Sequence, residues 1–574
     1  MAAAPVVAPD GPRRVVIVAY PDVQVLDVVG PLEVFAVANR FAEGSPPYAI
    51  EVAAATTEPL RTSGGLAIVP DRRLGRPSSR RNRDIDTLVV AGGEGTEAAV
   101  VDATLRSWIV AVAPRCRRVV SVCSGAFLLA AAGLLDGKRA TTHWSECHTL
   151  EQYFPKVIVE PDPIFVRDGS VATSAGITAG IDLALALVEE DCGREVALQV
   201  ARWLVVFLRR PGGQSQFSAQ LDAQLAERDE LADLQAWIVD HPDADLTVAA
   251  LAARAGMSER NFTRVFAREV GATPADYVER VRVETARRLL ETTGLTVAEV
   301  ARRCGYANPD TFQRAFVRQL GVTPSDYRRR FVGPTPRSTD DQHPDCDCAR
   351  RAPTAPTIGM VIFDGCDELD AIGPANVIFA VNPVRFFLPP EEAAAVVPPV
   401  VHFVSEDGGT VTSANGVVLT ATTSYAECPP LDAVIVAGGS GTHRAEVDPY
   451  DSAAGRHYQN HHEPTLEFIR RQAETAQVVA SVCTGTFVLA GAGLVAGKRV
   501  NTHWAYRDDL ARFMADRGEP VEIVPDRVVA DGSLLTCGGV SSGIDMAVEL
   551  VRRFYGDAVA EGAAAAVERV TPVG

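Results

Sequence analysis

The feature that constrains this chain most is an internal repeat. Residues 119–144 and 479–504 are identical at 17 of 26 positions without a gap, at a spacing of 360 residues. A second pair of segments, 168–188 and 531–551, is identical at 11 of 21 positions and lies three residues further apart, as a small loop insertion would cause. Self-similarity at a fixed spacing indicates a repeated structural unit. The chain therefore contains two copies of one domain.

The two copies are predicted to span residues 14–210 and 357–555. Each alternates short β-branched runs, such as residues 87–91 and 118–122 of the first copy, with longer helical patterns. The runs are apolar throughout, which is typical of parallel strands covered on both faces. We expect each copy to be a flavodoxin-like, doubly wound α/β domain.

The segment between the two copies has a purely helical pattern. We predict an all-α domain over residues 228–332, followed by a flexible linker over residues 333–356 that is rich in Pro, Asp and Arg. Because 574 residues are too many for one hydrophobic core, a division into three domains is expected.

The all-α domain contains two helix-turn-helix patterns. Each consists of a helix, a turn with Gly256 or Gly305, and a second helix. Ser258 is a suitable N-cap for the second helix of the first pattern. The predicted helices, including a long one that joins the two patterns, span residues 248–255, 258–270, 274–291, 297–304 and 309–320.

The charge distribution favours nucleic acid as a partner of the middle segment alone. The whole chain carries a formal net charge of -18. Residues 246–332 contain 15 Arg and 9 acidic residues, a local charge of +6, so the remainder carries -24. Phosphate binding requires clustered cationic side chains. The chain as a whole is therefore not a nonspecific nucleic-acid binder.

The sequence gives no reason to expect a membrane or secreted protein. No apolar run approaches the roughly 18 residues that cross a bilayer, and the Ala-rich start lacks a basic segment followed by an apolar one. The eleven cysteines are scattered and do not suggest a disulfide framework. We expect a cytoplasmic protein with reduced thiols and no membrane partner.

Two stretches at the end of the all-α domain, residues 304–316 and 321–328, closely resemble the signature of AraC-type transcription regulators. The resemblance implies that the second helix of each pattern enters the major groove of double-stranded promoter or operator DNA. It also implies a homodimer and contact with RNA polymerase. The residues that it places opposite bases are Arg260, Thr263, Arg264, Asp310, Thr311 and Arg314.

By the same resemblance, Arg268, Arg318 and Arg282 face phosphates. The apolar side chains on the opposite helix faces are expected in the core. These are Phe262, Val265, Phe266, Phe312, Phe316 and Val317. The alternative is that the arginines form an ordinary solvated helix face.

Each α/β copy places a cysteine between a strand and a helix, Cys123 in the first and Cys483 in the second. Such a turn has the form of a nucleophile elbow, in which the thiol faces the positive end of the helix. We expect this position to lower the pKa of the thiol and favour the thiolate. The alternative is a small buried cysteine at a tight turn.

With residues 26–35 and 91–95, these elbows resemble the class I glutamine-amidotransferase-like superfamily, which includes PfpI-type peptidases and isocyanide hydratases. Similar domains precede AraC-type modules in known regulators, where they sense a small molecule. The resemblance therefore implies an effector site in the first copy formed by Cys123, Asp27, Gly93 and Ser124. Residues 173–182 contain no His, and Ser124 stands where PfpI-type peptidases have His, so neither glutaminase nor peptidase activity is expected.

The second copy looks more like an isocyanide hydratase, through residues 368–374, 437–441 and 481–485. Carried over, Cys483 is the nucleophile, Asp370 transfers the proton, and backbone near Gly439 and Thr484 binds negative charge. The alternative for Asp370, as for Asp27, is an ordinary helix cap.

His143 and His503 recur in Thr-His-Trp triplets and rank below Cys and Asp as functional residues. No metal and no cofactor are expected. The leading function is a sequence-specific DNA-binding regulator that responds to a small-molecule effector. The alternatives are a bifunctional protein whose second copy is a cysteine-dependent hydratase or lyase, and a second copy that serves only dimerisation.

Overall fold

The structure is a computed structural model in which two compact units are distinguished. One unit contains both α/β copies, and the other contains the helices between residues 248 and 331. The predicted linker falls outside the described residues except for its last two positions. The described residues are 11–206, 208, 234, 237–238, 241–270, 273–292, 295–306, 308–320, 323–331, 355–385, 388, 393, 395–439, 458–539 and 541–567.

The first copy alternates strands and helices as predicted. Its helices are α1 (Val25–Phe41), α2 (Arg80–Arg83), α3 (Thr96–Val101), α4 (Ala103–Val112), α5 (Gly125–Ala131), α6 (Cys147–Tyr153), α7 (Ala179–Cys192) and α8 (Arg194–Trp203). Its strands are β1 (Arg13–Val18), β2 (Tyr48–Ala54), β3 (Leu60–Arg61), β4 (Ala67–Val69), β5 (Arg72–Arg73), β6 (Thr87–Val90), β7 (Arg118–Val122), β8 (Arg139–Ala140), β9 (Ile158–Val159), β10 (Phe165–Asp168) and β11 (Val171–Ser174).

The main sheet of the first copy has the strand order β10-β11-β7-β6-β1-β2-β5. All neighbours are parallel except β10, which runs antiparallel to β11. The central strands β6 and β7 are buried along their whole length, as apolar runs covered by helices on both faces should be. The doubly wound α/β class is therefore confirmed.

The second copy follows the helical domain. Its helices are α15 (Glu368–Val384), α16 (Glu463–Ala473), α17 (Gly485–Gly491), α18 (Arg507–Asp516), α19 (Ser541–Tyr555) and α20 (Asp557–Ala566). Its strands are β12 (Thr357–Val361), β13 (Val400–Ser405), β14 (Thr410–Thr412), β15 (Val418–Thr420), β16 (Thr423–Ser424), β17 (Ala433–Val436), β18 (Val478–Val482), β19 (Arg499–Val500), β20 (Glu522–Ile523), β21 (Val528–Asp531) and β22 (Leu534–Cys537). Its sheet order, β16-β13-β12-β17-β18-β22-β21, repeats that of the first copy.

The two copies share a four-stranded sheet in the order β14-β15-β4-β3. Antiparallel pairing of β15 with β4 joins a hairpin of one copy to the equivalent hairpin of the other. At the centre of the pairing, Leu419 lies opposite Ile68, and both side chains are buried. Equivalent strands that pair antiparallel give the contact the two-fold character of an isologous interface, here within one chain.

The helical unit contains two helix-turn-helix motifs. Its helices are α9 (Val248–Arg254), α10 (Glu259–Val270), α11 (Pro274–Thr292), α12 (Val297–Arg303), α13 (Pro309–Leu320) and α14 (Pro324–Phe331). All five predicted helices are present within a residue at each end. Gly256 and Gly305 have φ of 64° and 74°, a conformation that glycine adopts without strain.

The core of each motif is aromatic. Phe262 and Phe266 are fully buried on α10, as are Phe312 and Phe316 on α13. Val265 is also buried, but the prediction that Val317 lies in the core was wrong, since 38% of it is exposed. A buried helix face repeats at i, i+3 and i+4, and the position three residues after Phe312 is held by a buried Ala instead.

Among the described residues, no helix is long and apolar enough to cross a membrane.

Candidate functional site

The turn between β7 and α5 holds Cys123 in a strained conformation. Cys123 has φ of 54°, a left-handed conformation that is uncommon for residues other than glycine. Gly125 makes the close approach to β6 possible, because a Cβ atom at that position would lie 2.2 Å from the Val90 carbonyl oxygen. The elbow predicted from the sequence is therefore formed, with the half-buried thiol at the carboxyl end of the parallel strands.

Asp27 meets Cys123 across this end of the sheet. The Asp27 carboxylate is fully buried, accepts a hydrogen bond from the Gly92 amide at 3.0 Å and accepts one from the Cys123 thiol. Burial raises the pKa of Asp27 to about 7. The helix cap is Gln24 rather than Asp27, so Asp27 does not have the ordinary capping role.

Gly93 and Ser124 lie on the other side of the cysteine turn. The Gly93 amide donates to the Ser124 hydroxyl at 2.9 Å, and Ser124 is also within 2.8 Å of the Thr96 hydroxyl. The Tyr20 hydroxyl extends this network to Thr96 at 3.0 Å. Thr96 and Tyr20 were not predicted from the sequence, because single hydroxyl residues carry no spacing signal. All four predicted residues of the first site are thus close together.

The second copy repeats this geometry around Cys483, whose φ is 55°. Asp370 accepts from the Gly438 amide at 3.0 Å, and the Gly439 amide donates to the Thr484 hydroxyl at 2.8 Å. A Cβ atom on Gly438 would lie 2.5 Å from the Asp370 carboxylate and 2.7 Å from the Cys483 Cβ atom. Asp370 and Cys483 therefore flank the same glycine, and the four predicted residues meet.

The expected lowering of the thiol pKa was wrong for Cys483. The thiol is only 8% exposed, and burial raises its pKa well above the ordinary value. The negative charges of Asp370 and Asp367 raise it further. The Thr484 amide at the helix end favours the thiolate, but desolvation and two carboxylates outweigh it. The thiol of the second copy is therefore protonated at neutral pH.

His503 joins the Cys483 site to the first copy. Its ring is 1% exposed, its Nε2 lies 3.1 Å from the Trp203 carbonyl oxygen, and its Nδ1 accepts from the Ala505 amide at 3.4 Å. Burial lowers its pKa to about 4, so the ring is neutral and Nε2 carries the donated proton. The Trp504 indole also donates across the interface, to the Arg202 carbonyl at 3.1 Å.

His143 makes the equivalent contact from the first copy, with the Ala566 backbone. Each copy therefore places the end of its last helix against the cysteine site of the other. The signal for this arrangement was the Thr-His-Trp triplet in both copies. The partner residues, Trp203 and Ala566, lie at least 300 positions away along the chain and had no sequence signal of their own.

A buried acidic cluster lies where the copies meet. Glu33, Asp367 and Glu368 offer oxygen atoms within 4.8 Å of one another, and Asn415 donates to Glu33 and, at 3.2 Å, to Glu368. Burial and the neighbouring carboxylates raise the pKa of Glu33 well above its ordinary value, and the same causes raise the pKa of Asp367 to about 7. Protons on these two carboxyls reduce the repulsion within the cluster.

The predicted DNA-facing residues lie on the exposed faces of α10 and α13. Arg260 and Arg264 on α10 are exposed and Thr263 is half-buried. On α13, Asp310, Thr311 and Arg314 are all exposed. The Ser258 hydroxyl accepts from the α10 backbone at 3.4 Å, and the Asn308 side chain accepts from the α13 backbone at 2.8 Å. Both helix N-termini are therefore fixed by side-chain caps.

The arginines predicted to contact phosphates differ in exposure and in hydrogen-bond partners. Arg318 is exposed and pairs with Glu279, so DNA would have to compete with that carboxylate. Arg282 is half-buried and donates to the Pro242 and Ala244 carbonyls at 2.9 and 3.1 Å, so its phosphate contact stays a prediction. It connects α11 to the segment before α9. The side chain of Arg268 lies outside the described residues.

Two family models match this chain. The model of the DJ-1/PfpI family matches residues 13–190 and 356–553, which is more than half of the chain, and a helix-turn-helix domain model matches residues 251–330. An isonitrile hydratase from Pseudomonas putida is 39% identical over 199 residues, which cover 35% of this chain and 72% of that protein.

The HTH-type transcriptional regulator CdhR from Pseudomonas aeruginosa is 31% identical over 292 residues, covering 51% of this chain and 84% of that regulator. A solved structure of a ThiJ/PfpI family protein from Pseudomonas syringae is 33% identical, covers 35% of this chain and 80% of its own, and gives a TM-score of 0.30. The chain belongs to the DJ-1/PfpI family, and it carries an AraC-type helix-turn-helix domain, characteristic of DNA-binding transcription regulators, between two copies of the family's α/β domain.

Proposed function

We propose that this regulator recognises operator DNA with α10 and α13 and responds to a small molecule bound in its α/β unit. One observation carries the first half of the proposal. Two helices about fifty residues apart each bury an aromatic face and expose polar and cationic residues on the other. That arrangement suits a helix inserted into the major groove.

The side chains assigned to bases differ in chemistry between the helices. Arg260 and Arg264 suit the acceptor pair of guanine, whereas Asp310 accepts from the cytosine amino group. Arg314 lies against its own helix, 3.4 Å from the Asp310 carbonyl oxygen, and needs only a side-chain rotation to extend. The two helices should therefore read different base sequences.

Selection from a random DNA pool tests this proposal. The full chain should enrich one sequence, and Arg314→Ala should weaken binding to it by about 1–3 kcal/mol while relaxing specificity at one position. Arg61→Ala is the matched control, since Arg61 is an equally exposed arginine in the α/β unit and should leave binding unchanged. Failure to enrich any sequence would refute the proposal.

The effector half of the proposal rests on the paired cysteine sites. Each site brings a thiol, a buried carboxyl and backbone amides to one end of a parallel sheet, where α/β proteins bind small ligands. Cys123, Asp27, Gly93 and Ser124 line the first. Cys483, Asp370, Gly439 and Thr484 line the second. Homodimer formation and contact with RNA polymerase are further proposals that rest on the AraC-type domain.

The geometry does not favour the alternative of a hydratase in the second copy. A nucleophilic cysteine needs an accessible thiolate, whereas the Cys483 thiol is buried and its pKa is raised. A ligand-binding role makes no such demand.

A further inference from the structure

The segment that closes the Cys483 site comes from the first copy and leads into the DNA-binding domain. Trp203, the last residue of α8, packs against His503 with ring centroids 4.7 Å apart and ring planes tilted by 53°, and its carbonyl oxygen accepts from His503 Nε2 at 3.1 Å. Gly539 borders both this histidine and the Cys483 thiol, because a Cβ atom on it would lie 2.9 Å from the His503 ring and 3.2 Å from the thiol sulfur. Trp203 therefore packs on a histidine that shares Gly539 as a neighbour with the thiol.

The backbone of Val205 fixes the end of this segment. Its carbonyl oxygen accepts from the Ser541 hydroxyl at 2.7 Å and from the Arg527 guanidinium at 3.2 Å, and Asp545 holds that guanidinium at 2.7 Å. Val205 has φ of 56°, which a β-branched residue adopts only where its surroundings impose it. The segment from Arg202 to Val205 is thus held in one conformation by the second copy.

The residue that contacts the equivalent histidine at the Cys123 site is much smaller than Trp203. There His143 contacts the backbone of Ala566, which has no ring to stack. The indole nitrogen of Trp144 has no partner within the described residues, whereas the equivalent Trp504 donates to Arg202. The two sites are therefore closed to different extents, in line with the half-buried Cys123 and the buried Cys483.

The two closing segments also differ in their place along the chain. Val205 precedes the all-α domain, whereas α20 is the last helix of the second copy and lies far from that domain in sequence. Of the two closing segments, the one at Trp203 is therefore the segment that directly precedes the DNA-binding domain in sequence.

We propose that the Cys483 site is the effector site that controls DNA binding, and that a ligand enters it by displacing the segment from Arg202 to Val205. The inference rests on the proposed regulator function. The ligand class follows from burial. Cys483 and Asp370 are both buried, and an unpaired charge brought into a buried site is costly. The site therefore suits a small uncharged molecule.

Such coupling is reciprocal. If the ligand changes the affinity for DNA, bound DNA changes the accessibility of Cys483 by the same factor, typically about 5–150-fold. Thiol accessibility therefore reports the coupling before the natural ligand is known.

The duplication supplies a matched pair of variants. Trp504→Phe removes the hydrogen bond to Arg202 and keeps the ring, and it should change affinity for the selected DNA by at least about fivefold. Trp144→Phe makes the same change in the first copy, where the indole has no partner, and should leave affinity unchanged. Equal behaviour of the two variants would overturn the inference.

A second measurement uses iodoacetamide as the probe, with the alkylation of Cys123 and Cys483 followed separately by peptide mass spectrometry. Trp203→Ala should speed alkylation of Cys483 by about tenfold or more and leave Cys123 unchanged. Neutral iodoacetamide should react there faster than anionic iodoacetate. Adding the selected DNA to the wild-type chain should change the Cys483 rate by at least about fivefold. If neither Trp203→Ala nor DNA changes the alkylation rate of Cys483, the inference is overturned. Failure of the chain to select any DNA sequence would instead overturn the regulator function itself.

Discussion

Acidification should weaken the α/β unit through His503. Burial, helped by the charge of Arg507, lowers the pKa of His503 from its ordinary 6.5 to about 4 in the folded chain. Between these two values the unfolded chain binds the extra proton and the folded chain does not, so stability falls as pH falls. The stabilisation is fully present above pH 6.5. At 1.36 kcal/mol per pKa unit, about 2 kcal/mol is lost by pH 5 and about 3 kcal/mol below pH 4.

Buried carboxyls act in the opposite direction, so the pH dependence of the total unfolding free energy would hide the contribution of His503. The pKa values of Asp27 and Asp367 are raised to about 7, and their protonation stabilises the folded chain as pH falls below 7. The difference between wild type and His503→Gln cancels these contributions, because both proteins contain them. Gln keeps a donor for the Trp203 carbonyl and does not titrate.

The assay is guanidinium unfolding followed by tryptophan fluorescence, since four of the five tryptophans lie in the α/β copies. The difference in unfolding free energy between the two proteins should shrink by about 2 kcal/mol from pH 7.5 to pH 5. A difference that is the same at both pH values would show that His503 is not held neutral by burial.

Two further predictions concern packing. Phe316→Ala should lower the free energy of unfolding by about 3–5 kcal/mol, because the ring is fully buried. Val317→Ala, one residue later, should change it by no more than about 0.5 kcal/mol. Equal losses of stability in thermal melts would show that Val317 belongs to the core after all. A chain that ends after Pro334 exposes the edge of β4 and should self-associate in light scattering, since that edge can pair with a second β4; a strictly monomeric fragment would argue against the shared sheet.

The sequence predicted the elements better than their contacts. The five predicted helices of the DNA-binding unit were placed within a residue, because caps and glycine turns such as Ser258 and Gly256 are local signals; the helix Pro324–Phe331 was not predicted. The Cys–Asp–Gly grouping followed from the strand-to-helix turn and the family resemblance. Val317 was misplaced because its apolar character was counted without its position on the helix.

Two features of the site had no local signal. The contact of Trp203 with His503 joins residues 300 positions apart, and nothing in either stretch predicts the other. The raised pKa of Cys483 depends on how deeply the thiol is buried and on which carboxylates surround it. Both are properties of tertiary packing. The sequence indicated the helix end that stabilises the Cys483 thiolate, but not the burial and the carboxylates that destabilise it more strongly.

The shared sheet of β4 and β15 also bears on how the two sites can diverge. In a homodimer, every substitution at the two-fold interface occurs twice, and both sites change together. Here the two copies are parts of one polypeptide, so a substitution changes only one of the two equivalent positions. As a result, Trp203 closes the Cys483 site, whereas the smaller Ala566 leaves the Cys123 site more open, although both lie at one interface. The tether keeps the halves at high effective concentration while each is free to acquire its own specificity.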